Sequence, residues 1–361
     1  MSTLYQRNCE ELIKKGIVSS DQIYDYSKDI LADVYEQLFE FAYGHLKTKE
    51  KTLGFPPTHF FYKSDLRTNA FASSGVGYKL ICFNLGAIEN MFNFFEARAD
   101  VLQKAEYQSF HKLIRLTKNP THITLFQFFT LFLFYHEYAH LIQHIPDASF
   151  YSDEISDSIE QSSEILNNHC KELDADWLGS SNVALTIVQF LSDTDEQFNG
   201  STEELSDLVS MCIASVYSFF LKAAHFYPEV YYMEHNHPHP YVRIIYITQF
   251  IIETLPVNLP PEFSLDKSAI LRKGMKLSED LLEGQFGNSV GSFARVWVQS
   301  ADEMEAHIRV IIDHALGKSE LNNTIKHSVQ TNSEFSAAHN RIKNTRLQNY
   351  LLSKNHFKKE F

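Results

Sequence analysis

Apolar positions along this chain fall mostly at helical spacing. Between Ser20 and Leu46, the side chains of Ile23, Ile30, Val34, Leu38 and Phe41 share one helical face, and Ser20 or Asp21 suits the N-cap. Pro56-Pro57 breaks that pattern. A short strand is predicted next, then a Gly/Ser turn at Ser73-Ser74-Gly75, then a second strand over Tyr78–Leu85. Further helices are predicted over Ala87–Leu116, Thr121–Gln143, Ser156–Leu191, Thr202–Phe226 and Tyr241–Glu253. Pro256 to Pro261 read as a connector, and the remainder suggests two or three more helices. The pattern predicts an α+β protein, mainly α, with a small early β-sheet. It divides into an N-terminal helical segment (1–54), a central domain (55–255) and a C-terminal helical extension (256–361).

Two runs are apolar enough to raise a membrane question: Ile123–Tyr135 and Leu208–Leu221. Both fall short of the roughly 20 residues that cross a bilayer. They read as helices buried on most sides of a globular core, with no membrane span. A chain of 361 residues, 44% of them hydrophobic, can build such a core. Gly and Pro are scarce, at 13 and 10, which disfavours a turn-rich all-β fold.

The net charge of −13 argues against general nucleic-acid binding, which needs clustered cations. The last forty or so residues run mildly basic, from Lys318 to Lys359, and read as a solvated helical tail. Cys9, Cys82, Cys170 and Cys212 are widely scattered and form no C-x-x-C pair, which fits a reducing compartment. The first residues, MSTLYQRNCEELIKK, lack the apolar stretch of a secretory signal. A cytoplasmic location is the expectation.

Candidate chemistry begins at His136-Glu137-Tyr138-Ala139-His140. Histidines four apart on a helix stand one above the other, so both rings can reach one tetrahedral zinc ion. Glu137, beside the first of them, stands where a general base would flank the attacking water. These polar residues end a run of Leu and Phe, where the pattern predicts burial or a cleft. Buried without partners, each would cost about 1–3 kcal/mol or more.

A third ligand is required. Glu154, Glu160, Glu164 and Glu172 are the candidates downstream. Glu172 has the best context, in Lys171-Glu172-Leu173-Asp174-Ala175-Asp176-Trp177. Asp176 lies one turn on from it and can accept a hydrogen bond from the far nitrogen of a ligand histidine. Three ligands leave the fourth position for water. Cys170 reads as an ordinary small core residue.

Further on stands Asn236-His237-Pro238-His239-Pro240-Tyr241-Val242-Arg243-Ile244. A His or Tyr there can donate to a developing oxyanion, and Arg243 can pair with a site carboxylate. A His-rich surface turn is the plain alternative.

Together these motifs resemble the gluzincin zinc metallopeptidases of the CAAX prenyl-protease and HtpX type, which carry HExxH, a later ExxAD, and HPxxxxR. Upstream, Asn69-Ala70-Phe71-Ala72 and the strand YKLICFN resemble that family's N-A-F-A segment and edge strand. The resemblance covers roughly 69–244 and is weak between its four motifs. It implies a zincin-like catalytic domain over 55–255, with His136, His140 and Glu172 holding Zn2+ and Glu137 as base. It implies that Asp176 supports a ligand, His237 stabilises the transition state, and Arg243 supports the site. His239 would merely decorate the turn. It further implies that Tyr78–Asn84 is an exposed sheet edge, with Tyr78, Leu80 and Cys82 binding an extended peptide or protein substrate.

The lack of a span shifts the comparison towards soluble members, and towards the similar Lit phage-exclusion peptidase type. Asn236 stands where that type has Thr. The segment between His140 and Glu172 is short for the prenyl-protease group.

A rival resemblance is Gly86-Ala87-Ile88-Glu89-Asn90, similar to the G-x-M-E-N segment of aminopeptidase N-type enzymes. Their third ligand would fall at Ile159, which cannot ligate. The expected function is a zinc-dependent endopeptidase. A non-catalytic binding or sensor protein on the same scaffold, an aminopeptidase, and a zinc hydrolase of non-peptide amides or esters are the alternatives.

Overall fold

A computed structural model describes residues 3–143, 162–191, 200–223, 230–255, 263–283 and 293–317. The chain is mostly helical, with a three-stranded sheet early on. Helix α1 spans Thr3–Lys14 and α2 spans Ala32–Leu53. The strands are β1 (Thr58–Lys63), β2 (Ala70–Gly75) and β3 (Tyr78–Asn84). Helix α3 follows at Leu85–Ala97, with the short α4 (Gln108–Lys112) and α5 (Ile114–Thr117). The long helices are α6 (Thr121–Ile142), α7 (Ser162–Leu191), α8 (Thr202–Ala223), α9 (Pro240–Thr254), α10 (Lys267–Leu282) and α11 (Phe293–Gly317).

Several elements differ from the sequence expectation. Helix α2 begins at Ala32, not near Ser20. Ser20–Gln22 and Tyr26–Lys28 are single 3-10 turns, and Asp25 accepts the N–H of Ser27 at the second. Ile23 therefore bridges to Lys63, and Ile30 is 98% exposed. The predicted helix over Ala87–Leu116 stops at Ala97. Beyond it the chain turns to bury Val101, Leu102, Tyr107 and Phe110. Ser73, Ser74 and Gly75 belong to β2, and the reversal is the two-residue loop Val76-Gly77, where Gly77 adopts φ 81°.

The strand order is β1-β3-β2, with β1 parallel and β2 antiparallel to β3. This corrects the expected substrate edge. Strand β3 is central, so its backbone is paired on both sides, and Leu80 and Cys82 are buried. Tyr78, Leu80 and Cys82 thus offer no open ladder to a peptide. Strand β2 is the edge that packs beside α6.

Helix α6 is apolar all round and buried on nearly every side, against α3, α7, α8 and the sheet. In α8, the stretch Thr202–Lys222 is long and apolar enough to cross a bilayer, yet 89% of that window is buried inside the fold, as in a core helix. One continuous core runs from Tyr5 through the sheet to Met304 and Ile308 on α11. All four cysteines are buried and none is in a disulfide. Glu154, Ile159, Glu160, the Pro256–Pro261 connector and the basic tail lie outside the described residues.

Candidate metal centre

Two helices meet to form the site. Helices α6 and α7 approach closely at Gly179, where an added Cβ would lie 3.2 Å from the Phe132 carbonyl oxygen. That approach carries Glu172 on α7 to His136 and His140 on α6. His136 Nε2 and His140 Nε2 stand 3.2 Å apart. Glu172 Oε2 is 3.5 Å from His136 Nε2, and Glu172 Oε1 is 3.5 Å from His140 Nε2. Donor atoms at the bond lengths of a tetrahedral zinc stand about 3.3 Å from one another. The three side chains therefore have the spacing of a ligand set, and could hold a metal ion. Glu164, the other candidate within the described residues, is exposed two turns earlier on α7.

The surrounding groups point the same way. Gln143, just beyond α6, stands at 2.8 Å from the Lys171 carbonyl oxygen and 2.9 Å from Asp174 Oδ2 through its Nε2. Both partners only accept, so the amide orientation is fixed and Oε1 faces His140 Nδ1 at 2.9 Å. His140 Nδ1 must then carry the hydrogen, which leaves Nε2 bare. Asp176 Oδ1 lies 3.1 Å from His136 Nδ1 and likewise favours a hydrogen there. Two bare ring nitrogens 3.2 Å apart repel one another unless a positive charge sits between them.

The charges agree. Burial opposes a charge on His136, but Asp176 and Glu172 outweigh it and push its pKa up to about 10. Burial dominates at His140, whose pKa falls to about 4 despite Glu172. At Glu172 burial is outweighed by His237, His136 and Arg243, which hold it well below the usual carboxylate range. A proton and a metal ion compete for the same His136 lone pair, and the carboxylates favour positive charge there in either form.

The third sequence motif also converges. Pro240 starts α9, which places Arg243 behind α7. Its guanidinium forks onto Asp176, at 2.9 and 2.7 Å, and Nη2 is 3.3 Å from Glu172 Oε2. Burial would raise the Asp176 pKa, but Arg243 and His136 lower it. His237 Nε2 lies 3.5 Å from Glu172 Oε1. Glu137 is buried on α6 beside His136.

His239 is not the loose residue expected. It is buried, and Nδ1 accepts the N–H of Tyr241 as the N-cap of α9. Such a cap is worth about 1 kcal/mol. The run His239-Pro240-x-x-Arg243 carried that signal, since a polar residue before Pro at a helix start is a capping pattern.

Gln143 was missed, although its place three residues after His140 puts it within one turn of that ring. Gln143→Leu should lower metal affinity by about 10–100-fold with the fold kept, because the orienting partner of one ligand is lost. Competition with a graded chelator measures this. Unchanged affinity would mean that His140 is oriented by something else.

The rival segment has a structural role. A Cβ at Gly86 would lie 2.0 Å from the Leu66 carbonyl oxygen, and Asn90 Nδ2 reaches Leu66 O and Thr68 Oγ1, at 3.1 and 2.9 Å. Glu89 lines a separate cavity with Tyr24, Asp25, Lys28 and Asp29. Comparison with family models, with curated proteins and with solved structures finds no match to this chain, and what the site does is argued from its own residues.

Proposed function

We infer that this protein is a zinc-dependent endopeptidase of the gluzincin type, acting on peptide or protein substrates. The carrying observation is the convergence of His136, His140 and Glu172, at 3.2–3.5 Å, with Glu137 alongside. The resemblance of the three motifs to gluzincins supports the same conclusion. The nitrogen and carboxylate donor set suits zinc, and when bound the ion supplies a Lewis acid that polarises a carbonyl and acidifies water.

The chain's own residues supply the rest. Glu137 takes the proton of the attacking water as its oxygen bonds to the carbonyl carbon, and returns it to the leaving amine when the C–N bond breaks. His237, beside Glu172, donates to the carbonyl oxygen as that oxygen gains charge. Arg243 balances Asp176 and Glu172, so two buried carboxylates can stay ionised. Asp176 and Gln143 each hold one ligand ring in the tautomer that leaves Nε2 free. An extended peptide adds to β2, the edge strand beside α6, in the place expected of β3.

The test combines composition with cleavage. Purified protein should carry about one zinc per chain, and His140→Ala or Glu172→Ala should lose it. The zinc-loaded chain should cut internal bonds in a proteome-derived peptide library, and His140→Ala should not. Bound zinc without any cleavage would favour a binding or sensor protein on the same scaffold.

A further inference from the structure

His237 sits on a stretch, Val230–His239, that has neither helix nor strand. A donor that must meet a developing charge needs a backbone that does not wander. Within the stretch, the Glu234 carboxylate accepts the N–H groups of Tyr232 and Met233 at 2.7 and 2.8 Å. From α11, Glu303 accepts the Tyr232 hydroxyl at 3.2 Å, and the His307 ring meets the Tyr232 ring at 5.1 Å. At the far end His239 caps α9. From α7, His169 Nε2 lies 2.8 Å from the carbonyl oxygen of His235.

His169 is fully buried. A carbonyl only accepts, so His169 Nε2 carries the hydrogen and, in the neutral ring, Nδ1 is the acceptor. His307 Nε2 stands 3.4 Å from that Nδ1, and the His307 ring also bonds the Tyr232 backbone. Burial lowers the pKa of both rings, that of His169 to about 4, which keeps them neutral.

We propose that His169, held in this tautomer by the His235 carbonyl and packed against His307 of α11, is the positioning residue for His237. His237 lies two residues after the held carbonyl and two before the cap. Two residues reach at most about 7 Å, so its backbone has little freedom between the two pinned points. His169 and Glu172 are three apart on one face of α7, so the same helix sets both the loop and the carboxylate that His237 meets. Through this chain of contacts α11 acts on the site from beyond the metal ligands.

The kinetic arm of the test rests on the peptidase reading, while amide hydrogen exchange does not. In the full-length, zinc-loaded protein, His169→Leu should speed exchange across 230–239 and leave zinc content unchanged. It should lower kcat by about ten- to a hundredfold with KM little changed, the scale of a misplaced transition-state contact. His169→Gln restores a donor to the His235 carbonyl and should recover both readouts. His307→Phe keeps a ring against Tyr232 but loses its bonds to His169 and to the Tyr232 backbone, and should speed exchange across the same stretch. Should His169→Leu fail to fold, His169→Asn, whose amide is too short to reach the carbonyl, serves in its place. Unchanged exchange in His169→Leu (or in His169→Asn in its place), or a Gln variant as fast as the Leu one, overturns the proposal. A wild type that cleaves nothing refutes the peptidase instead, and exchange still decides the positioning.

Discussion

Glu137→Gln is expected to keep its zinc and its fold while losing at least about a hundredfold in turnover. Glu137 is buried on α6 beside His136 and stands outside the three-atom ligand cluster. Gln has the same shape and the same acceptor oxygen, so packing is preserved, but its amide does not take the proton from water. A hundredfold loss corresponds to about 2.7 kcal/mol of barrier. A defect of that size in kcat, with unchanged zinc by elemental analysis and an unchanged melting curve, separates chemistry from structure. Undiminished hydrolysis would remove Glu137 as the base. Loss of zinc would place it among the ligands and redraw the centre.

The candidate metal cluster was legible because its signals are local. His136 and His140 are linked by helix geometry alone, and Glu172 and Asp176 by the same one-turn spacing on α7. The Arg243–Asp176 pair was legible only through the order of motifs, since no spacing brings α9 to α7. Strand order was beyond the local pattern. The run Tyr78–Asn84 is mostly apolar, and a central strand buried on both faces and an edge strand packed on a helix can read alike. Ser73-Ser74-Gly75 read as a turn because small polar residues favour turns, yet register carries them on opposite Leu80, Lys79 and Tyr78. Helix α1 fell within the expected N-terminal helical segment but was not delimited, although Tyr5, Cys9 and Leu12 are buried along one face at helical spacing. Gln143 and His169 were invisible for a different reason. Their roles depend on what stands across a helix interface, Lys171 and Asp174 for one and the His235 carbonyl for the other.

Arg243→Ala should produce the largest loss of stability in the site, on the order of 3–5 kcal/mol, because it strands a buried charge. Asp176 has no exposure, and Arg243 both forks onto it and reaches Glu172. The guanidinium also lies over the Phe220 ring, 4.3 Å from its centre, so Ala removes packing as well as charge. In a protein of 361 residues that cost should lower the melting temperature by roughly 5 °C. Two effects on zinc oppose each other. One fewer cation nearby favours the metal, but Asp176 without its fork no longer fixes the His136 ring, and such losses weaken binding by about 10–100-fold. The orienting effect should win, since the ligand geometry depends on it. Bound zinc also supplies some of the missing positive charge to Glu172, so the destabilisation should be larger in chelator than with zinc in excess. Arg243→Lys keeps the charge without the fork and should fall between the two. Melting curves of the three proteins, each with zinc and with chelator, decide it. An Arg243→Ala variant that melts with the wild type in chelator would mean that Asp176 is already compensated by another group, and that Arg243 does not hold the centre together.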